Sequence, residues 1–367
     1  MSDLVRITWD DLQLGKALPW NIYDQNNKLL LSAGHIITSK ETMDNLRQYV
    51  LYRNELDHQH GRRNKQKKCN PFTEAEKLLT RIGHLFGEIE AGNPTAGELA
   101  GRLAADLLHQ CRIEPEACLA VLRVPNSWPY SLYYTLQRAI ISAMLVIRED
   151  VYMEEEIEIV SAALTFNVGM YTIQDEIRRQ MRFPSDEQQY VIDHYPLKSA
   201  TLLKAAGITN THWLEIVQQH KAVEKGDIDA GETCDGTVLL ATADHYCEVM
   251  NGSAYWQPAS LADAIDKFFG FSPLAGHHFV KLLFEVLTVY PPGSFVKLTN
   301  GETAIVVQRG KQDPMQPVLK SITGPTGNRY ANPLLRDCHV NDYVIDGFTE
   351  FEQQEVLNYS RLWGYVK

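Results

Sequence analysis

Residues 161–170 read Ser161-Ala162-Ala163-Leu164-Thr165-Phe166-Asn167-Val168-Gly169-Met170. Small and apolar residues run up to Phe166-Asn167, and a small hydrophobic residue and a glycine follow. The segment therefore reads as the end of an apolar helix that begins near Glu154 and lasts to Leu164. Helical patterning extends from there in both directions, over Pro71 to Tyr290. Thr73-Glu74-Ala75-Glu76 has the form of a capping box, followed by Leu78, Leu79, Ile82, Leu85, Phe86 and Ile89 on one face. Gly92-Asn93-Pro94 stops that helix, and Thr95-Ala96-Gly97-Glu98 opens one carrying Leu99, Leu103, Leu107 and Leu108. Further helices are expected after Pro115, at Leu132 to Ile147, after Ser185-Asp186-Glu187-Gln188 and at Leu197 to Ala205. Others follow at Trp213 to His220, Thr237 to Met250, Ser260 to Phe268 and His277 to Val289. No strand pattern interrupts them, which makes 71–290 one large all-α domain.

The flanks differ in kind. Asn21-Ile22-Tyr23-Asp24 and Lys28-Leu29-Leu30-Leu31 bracket Gln25-Asn26-Asn27, a hairpin signal inside a small β-containing module at 1–60, and Thr38-Ser39-Lys40-Glu41 starts a helix with Met43, Leu46 and Val50. Residues 61–70 carry Arg62, Arg63, Lys65, Lys67 and Lys68 and read as a solvated basic linker. After Pro291-Pro292-Gly293, two apolar runs around Asn300-Gly301 give a hairpin. Val318 to Ile322 and a turn at Gly324 to Gly327 extend it into a β-appendage at 291–345. A C-terminal helix or tail, with a helix over Glu352 to Leu362, closes the chain at 346–367. The expected class is mainly α, a helical domain flanked by small β-containing modules.

The chain has 367 residues, 44% of them hydrophobic, and a net charge of −11 from 35 Lys and Arg against 46 Asp and Glu. That balance argues against general nucleic-acid binding, which calls for a basic footprint. The N-terminus has no signal-peptide run. The longest apolar stretch, Ala139 to Ile147, falls far short of the ~20 residues that span a bilayer. The six cysteines form no C-x-x-C pair. The expectation is a cytoplasmic protein with reduced thiols and no membrane insertion. No P-loop, G-x-S-x-G elbow or G-x-G-x-x-G is present.

Five segments, in order, carry a resemblance. They are Ser161–Met170, Tyr190-Val191-Ile192-Asp193-His194-Tyr195-Pro196, Val217-Gln218-Gln219-His220-Lys221, Leu240-Ala241-Thr242-Ala243-Asp244-His245-Tyr246 and Tyr290 to Leu298. Together they resemble the HD-GYP family, the first matching its Ala-Ala-Leu-Leu-His-Asp-Ile-Gly-Lys segment. Residues 14–38 resemble a module found at the N-terminus of some members. The resemblance implies an HD-type helical fold and, in active members, hydrolysis of cyclic di-GMP at a site of two or three metals. There a carboxylate bridges cations that activate water and clamp phosphate.

By that resemblance His194, His220 and Asp244 retain family ligand positions, whereas Tyr134, Phe166, Asn167 and Gln219 have lost theirs. Lys221 replaces a family Glu, Met170 a Lys, and Gly226-Asp227-Ile228-Asp229 stands where the Gly-Tyr-Pro loop belongs. A phenyl ring ligates nothing, and a neutral amide supplies no bridging charge. The expectation is a degenerate site, a pseudoenzyme with no catalytic residues and no cofactor, holding at most one weakly bound divalent metal. Its implied role is regulatory or scaffolding, in bacterial cyclic di-GMP signalling through unidentified signalling proteins. Nucleotide sensing without hydrolysis, residual phosphodiesterase activity, a bound cyclic dinucleotide and a homodimer remain open. His277-His278 and the Asp227, Asp229, Glu224 and Glu232 group read as non-ligands. The acidic residues from Asp150 to Glu158 read as a helix start, and Arg178, Arg179 and Arg182 as a solvent face.

Overall fold

The fold was read from a computed structural model. It describes residues 69–149, 151–180, 182–252, 268, 273–274, 276–310, 312–339, 343–352, 354 and 357–366, and before them 4–6, 18, 22–24, 29–31 and 52–54. The chain forms two compact units, Met1–Cys69 and Asn70–Lys367.

The first unit contains a four-stranded antiparallel sheet of β1 (Leu4–Arg6), β2 (Ile22–Tyr23), β3 (Leu29–Leu31) and β4 (Tyr52–Asn54), in the order β1-β4-β2-β3. Ile22 pairs with Leu31, as the hairpin signal requires. The helix expected after Thr38, the basic run 62–68 and, of the helix expected at Ser260 to Phe268, all but Phe268 lie outside the described residues.

The second unit opens with α1 (Pro71–Glu90). Its cap is Asn70, whose side chain accepts from the Phe72 N–H at 3.2 Å, with Pro71 in the first turn. The helix thus begins before the Thr73 box, and the Thr73 hydroxyl donates to the Asn70 carbonyl. Its six apolar residues face the core as their spacing predicts. There follow α2 (Ala96–Ile113), α3 (Pro115–Val121), α4 (Tyr130–Glu149), α5 (Met153–Ala163), α6 (Tyr171–Arg179), α7 (Asp186–Ala205), α8 (Thr211–Lys225), α9 (Asp235–Asn251) and α10 (His278–Leu287). Two expectations are corrected. The sequence pattern missed α6, because its buried residue is Gln174 rather than an apolar one. The two helices expected at 185–205 are one, since Pro196 lies inside α7 without ending it. The Ser185–Gln188 capping box is present.

Between α5 and α6 the chain turns tightly through 164–170. Gly169 is required there: a Cβ would stand 2.7 Å from the Tyr195 carbonyl oxygen and 2.9 Å from the Ser199 backbone N. The bare Gly169 N–H instead donates to Ser199 Oγ at 2.9 Å, fixing the turn against α7.

A five-stranded antiparallel sheet follows, with β5 (Phe295–Leu298), β6 (Thr303–Gln308), β7 (Val318–Thr323), β8 (Arg329–Asp337) and β9 (Ile345–Phe348) in the order β8-β7-β6-β5-β9. Gly301 adopts φ +87°, as the Asn300-Gly301 turn demands. The sheet runs past residue 345, because β9 pairs with β5. The helix expected over Glu352–Leu362 contracts to α11 (Tyr359–Leu362) among the described residues. The result is an all-α body with small β-containing modules at both chain ends. None of the six cysteines is in a disulfide, and among the described residues no helix is long and apolar enough to cross a membrane.

Candidate functional site

Helices α4, α8 and α9 and the turn after α5 converge on Asp244, a fully buried carboxylate on α9. Its Oδ1 accepts from the Tyr134 hydroxyl at 2.8 Å and from Arg138 Nε at 2.9 Å. Tyr134 and Arg138 are four apart on α4 and so share a face. The guanidinium also lies over the Tyr134 ring, 3.1 Å from its centroid. Asp244 Oδ2 faces Lys221 Nζ at 3.5 Å. The same ammonium donates to Glu224 Oε2 at 2.6 Å and Glu248 Oε2 at 2.8 Å, so it sits among three carboxylates.

The charges follow from that geometry. Burial alone would raise the Asp244 pKa, but Lys221 and Arg138 overcome it and hold the carboxyl well below the ordinary range. Burial likewise opposes charge on Lys221, and Glu224, Glu248 and Asp244 reverse it, keeping the ammonium protonated. Glu224 is pushed up to about 7 by burial, against the pull of Lys221. Lys221 holds Glu248 below its usual value.

Beside this network lies an aromatic layer. The fully buried Phe166 stacks on Tyr134 at 5.9 Å and meets His220 edge-on at 5.2 Å. Filling that volume with a phenyl ring contributes about 1.5–3 kcal/mol of burial. Burial lowers the His220 pKa to about 4 and keeps the ring neutral. Its Nδ1 is 2.8 Å from the Val217 carbonyl, which only accepts, so that nitrogen carries the proton. Nε2 therefore accepts from the Tyr195 hydroxyl at 2.8 Å. Asn167, also fully buried, has both ends of its amide engaged: Oδ1 is 2.9 Å from the Thr135 hydroxyl, and Nδ2 donates to Gln174 Oε1 at 2.9 Å.

The structure thus brings together His220, Asp244, Tyr134, Phe166 and Asn167. It does not bring in His194 or Gln219. His194 is exposed, stacked on Tyr190 at 4.0 Å, and its neighbour Tyr195 faces inward instead. Gln219 accepts from Thr233 at 2.6 Å. Glu224, grouped in the sequence with Asp227, Asp229 and Glu232 as a non-ligand, belongs to the buried network, whereas Asp229 caps a local turn by accepting from the Gly231 N–H. His277 caps α10, and His278 pairs with Glu149 at 3.4 Å. Sequence reasoning missed Arg138, Tyr195 and Glu248 altogether and gave Lys221 no role. The spacings Tyr134/Arg138, Lys221/Glu224 and Asp244/Glu248 were the available signals.

Glu224, Asp244 and Glu248 are close enough together to hold a metal ion. The donor set does not fit a carboxylate-bridged metal pair, however. The ammonium of Lys221 already stands among these carboxylates, the neutral Asn167 amide supplies no charge to bridge two cations, and Tyr195 occupies the free nitrogen of His220. The network borders a cleft of about 520 Å³, walled by Tyr130, Tyr134, Tyr195, Arg178, Lys221 and Glu248.

The chain matches no protein-family model. It also matches no curated protein. Among solved structures it is similar to Bd1817, an HDG"Y"P protein from Bdellovibrio bacteriovorus, with a TM-score of 0.50 and 14% identity over 78% of this chain and 99% of that one. The fold is HD-GYP-like. At that identity the likeness concerns the fold alone.

Proposed function

We propose that the chain is a non-hydrolytic regulatory protein on an HD-GYP-like fold, cytoplasmic, acting through contacts with signalling proteins in cyclic di-GMP networks. One observation carries this reading. Where a hydrolase of this fold needs open metal ligands, this chain has Arg138 and Lys221 bound to Asp244, and a phenyl ring at Phe166. A carboxylate already neutralised by two internal cations competes poorly for a metal, and without a metal the site has no activated water to deliver. Elemental analysis of the purified full chain, together with a cyclic di-GMP hydrolysis assay, tests it. The expected result is less than one tightly held divalent metal per chain and no turnover; two metals with turnover overturn it.

The cleft favours a second reading, binding without chemistry. Its volume of about 520 Å³ lies in the range of small-molecule sites, and tyrosines and Arg178 line it. Calorimetric titration with cyclic di-GMP tests this reading, and absence of heat at millimolar ligand ends it.

A further inference from the structure

A second cleft lies in the β-appendage, between β7, β8 and α11, with a volume of about 480 Å³. Its charge is the reverse of the molecule's. The chain carries −11 overall, yet the residues lining this cleft include Lys320, Arg329 and Arg361 and no Asp or Glu. Among the described residues none of the three forms an ion pair. Arg361 donates to Asn332 Oδ1 at 2.8 Å, a neutral acceptor that leaves its charge uncompensated. Glu302, which the Tyr330 hydroxyl reaches at 3.2 Å, is held by Arg336 at 2.8 and 2.9 Å and by Ser321. It is therefore not available to neutralise them.

Three cations gathered without a counterion repel one another, and burial pulls the Lys320 pKa below its ordinary value. An anion seated between them relieves both effects. Three positive charges suit a group of charge −2 or more better than a single carboxylate. Two guanidinium forks match tetrahedral oxyanion geometry through paired N–H donors. Asn332 and Asn358 also line the cleft, as do the apolar Ile322, Leu357 and Leu362. The lining thus combines three cations with apolar side chains.

We propose that this cleft binds a small organic phosphate, its phosphate on Lys320, Arg329 and Arg361 and its apolar portion against Ile322 and Leu357. The site involves neither the Asp244 network nor the cleft beside it, and it stands whether or not the helical domain is catalytic.

The test is a titration of the full chain with phenyl phosphate, followed by phosphorus NMR and calorimetry at ~0.1 M NaCl. Phenol serves as the neutral control and inorganic phosphate as the head group alone. Phenyl phosphate should bind saturably and more tightly than inorganic phosphate, and phenol should not bind. Arg329→Gln and Arg361→Gln, both at exposed positions, should each weaken binding about tenfold or more. Lys225→Gln, beside the other cleft, should leave it unchanged. No saturation below ~10 mM overturns the proposal. So does phenol binding as well as its phosphate ester, or an affinity indifferent to both arginine changes or lowered equally by Lys225→Gln.

Discussion

Asn167 is held at both ends of its amide, by Thr135 and Gln174, with no exposed surface. Asn167→Asp, the change that restores a family-like charge, puts an oxygen opposite Gln174 Oε1 and a carboxylate in the core. Burial raises such a carboxyl above its unfolded value of about 3.9, so the penalty exists only above that pH. Urea unfolding should show a loss of about 2–4 kcal/mol at pH 7 that shrinks toward pH 4, where the neutral acid replaces the amide. A loss constant across that range would contradict the account. Lys221 is the complementary case. Lys221→Met leaves Glu224, Asp244 and Glu248 facing one another, and should cost about 3 kcal/mol in the same measurement. A cost under about 1 kcal/mol would mean that the ammonium does not organise the carboxylates.

Helix α8 places two titrating groups of opposite effect one turn apart, His220 and Glu224. His220 has a folded pKa of about 4, below the unfolded ~6.5. The unfolded chain therefore binds its proton first, and this residue's contribution to stability is lost as pH falls from about 6.5 to 4. Glu224 has a folded value of about 7, above the unfolded ~4.3. Its contribution is present at low pH and lost as pH rises through that range. Asp244, Lys221, Glu248 and His245 also face this pair, from α8 and α9. In the wild type the two slopes oppose each other between about pH 4.5 and 6.5. Glu224→Gln should unmask His220, with stability rising by up to about 3 kcal/mol across that window. His220→Gln should reverse the slope. Parallel slopes in wild type and both variants would refute the assignment. The same elements show what the sequence can carry. The α1 stripe and the Asn300-Gly301 hairpin were legible because periodicity and turn chemistry are local. The choice between His194 and Tyr195 was not, because one residue rotates the side chain about 100° around α7. Only packing against Gly169 and His220 selects the inward one. Lys221 was visible as a substitution, but its role depends on α8 and α9 meeting, which no local pattern encodes.

Among the described residues, two sets of contacts between the β-appendage with its C-terminal helix and the helices before it bear on how the Asn70–Lys367 unit unfolds. At one, Arg309 after β6 donates to the carboxylate of Glu116 on α3 through Nε at 2.9 Å, Nη2 at 2.8 Å and its backbone N–H at 3.0 Å, and also to the Val286 carbonyl of α10. Nearby, Gly293 at φ +88° lets the chain pass Ala120, where a Cβ would lie 3.1 Å from its Cα. At the other, Phe72 of α1 packs on Tyr359 and Trp363 at 5.9 and 5.1 Å, and the Asn70 side chain donates to Ser360. Sheet and helices linked this way should open together. Arg309→Met leaves the Glu116 carboxylate half-buried without its fork and the Val286 carbonyl without its donor. A loss of about 2 kcal/mol is expected, confined to the joint rather than spread through the α4 core. Hydrogen exchange resolved by segment reads this directly. In the wild type, β6 and α3 amides should exchange through openings of similar free energy. In Arg309→Met, β5 to β7 should open more readily while α4 and α9 keep their protection. If β6 protection is unchanged in the variant, Arg309 is a surface contact and the sheet is held by the other contacts, among them the Phe72 joint. If α4 loses protection equally, the unit has no internal seam and the helical network around Asp244 depends on the sheet for its stability.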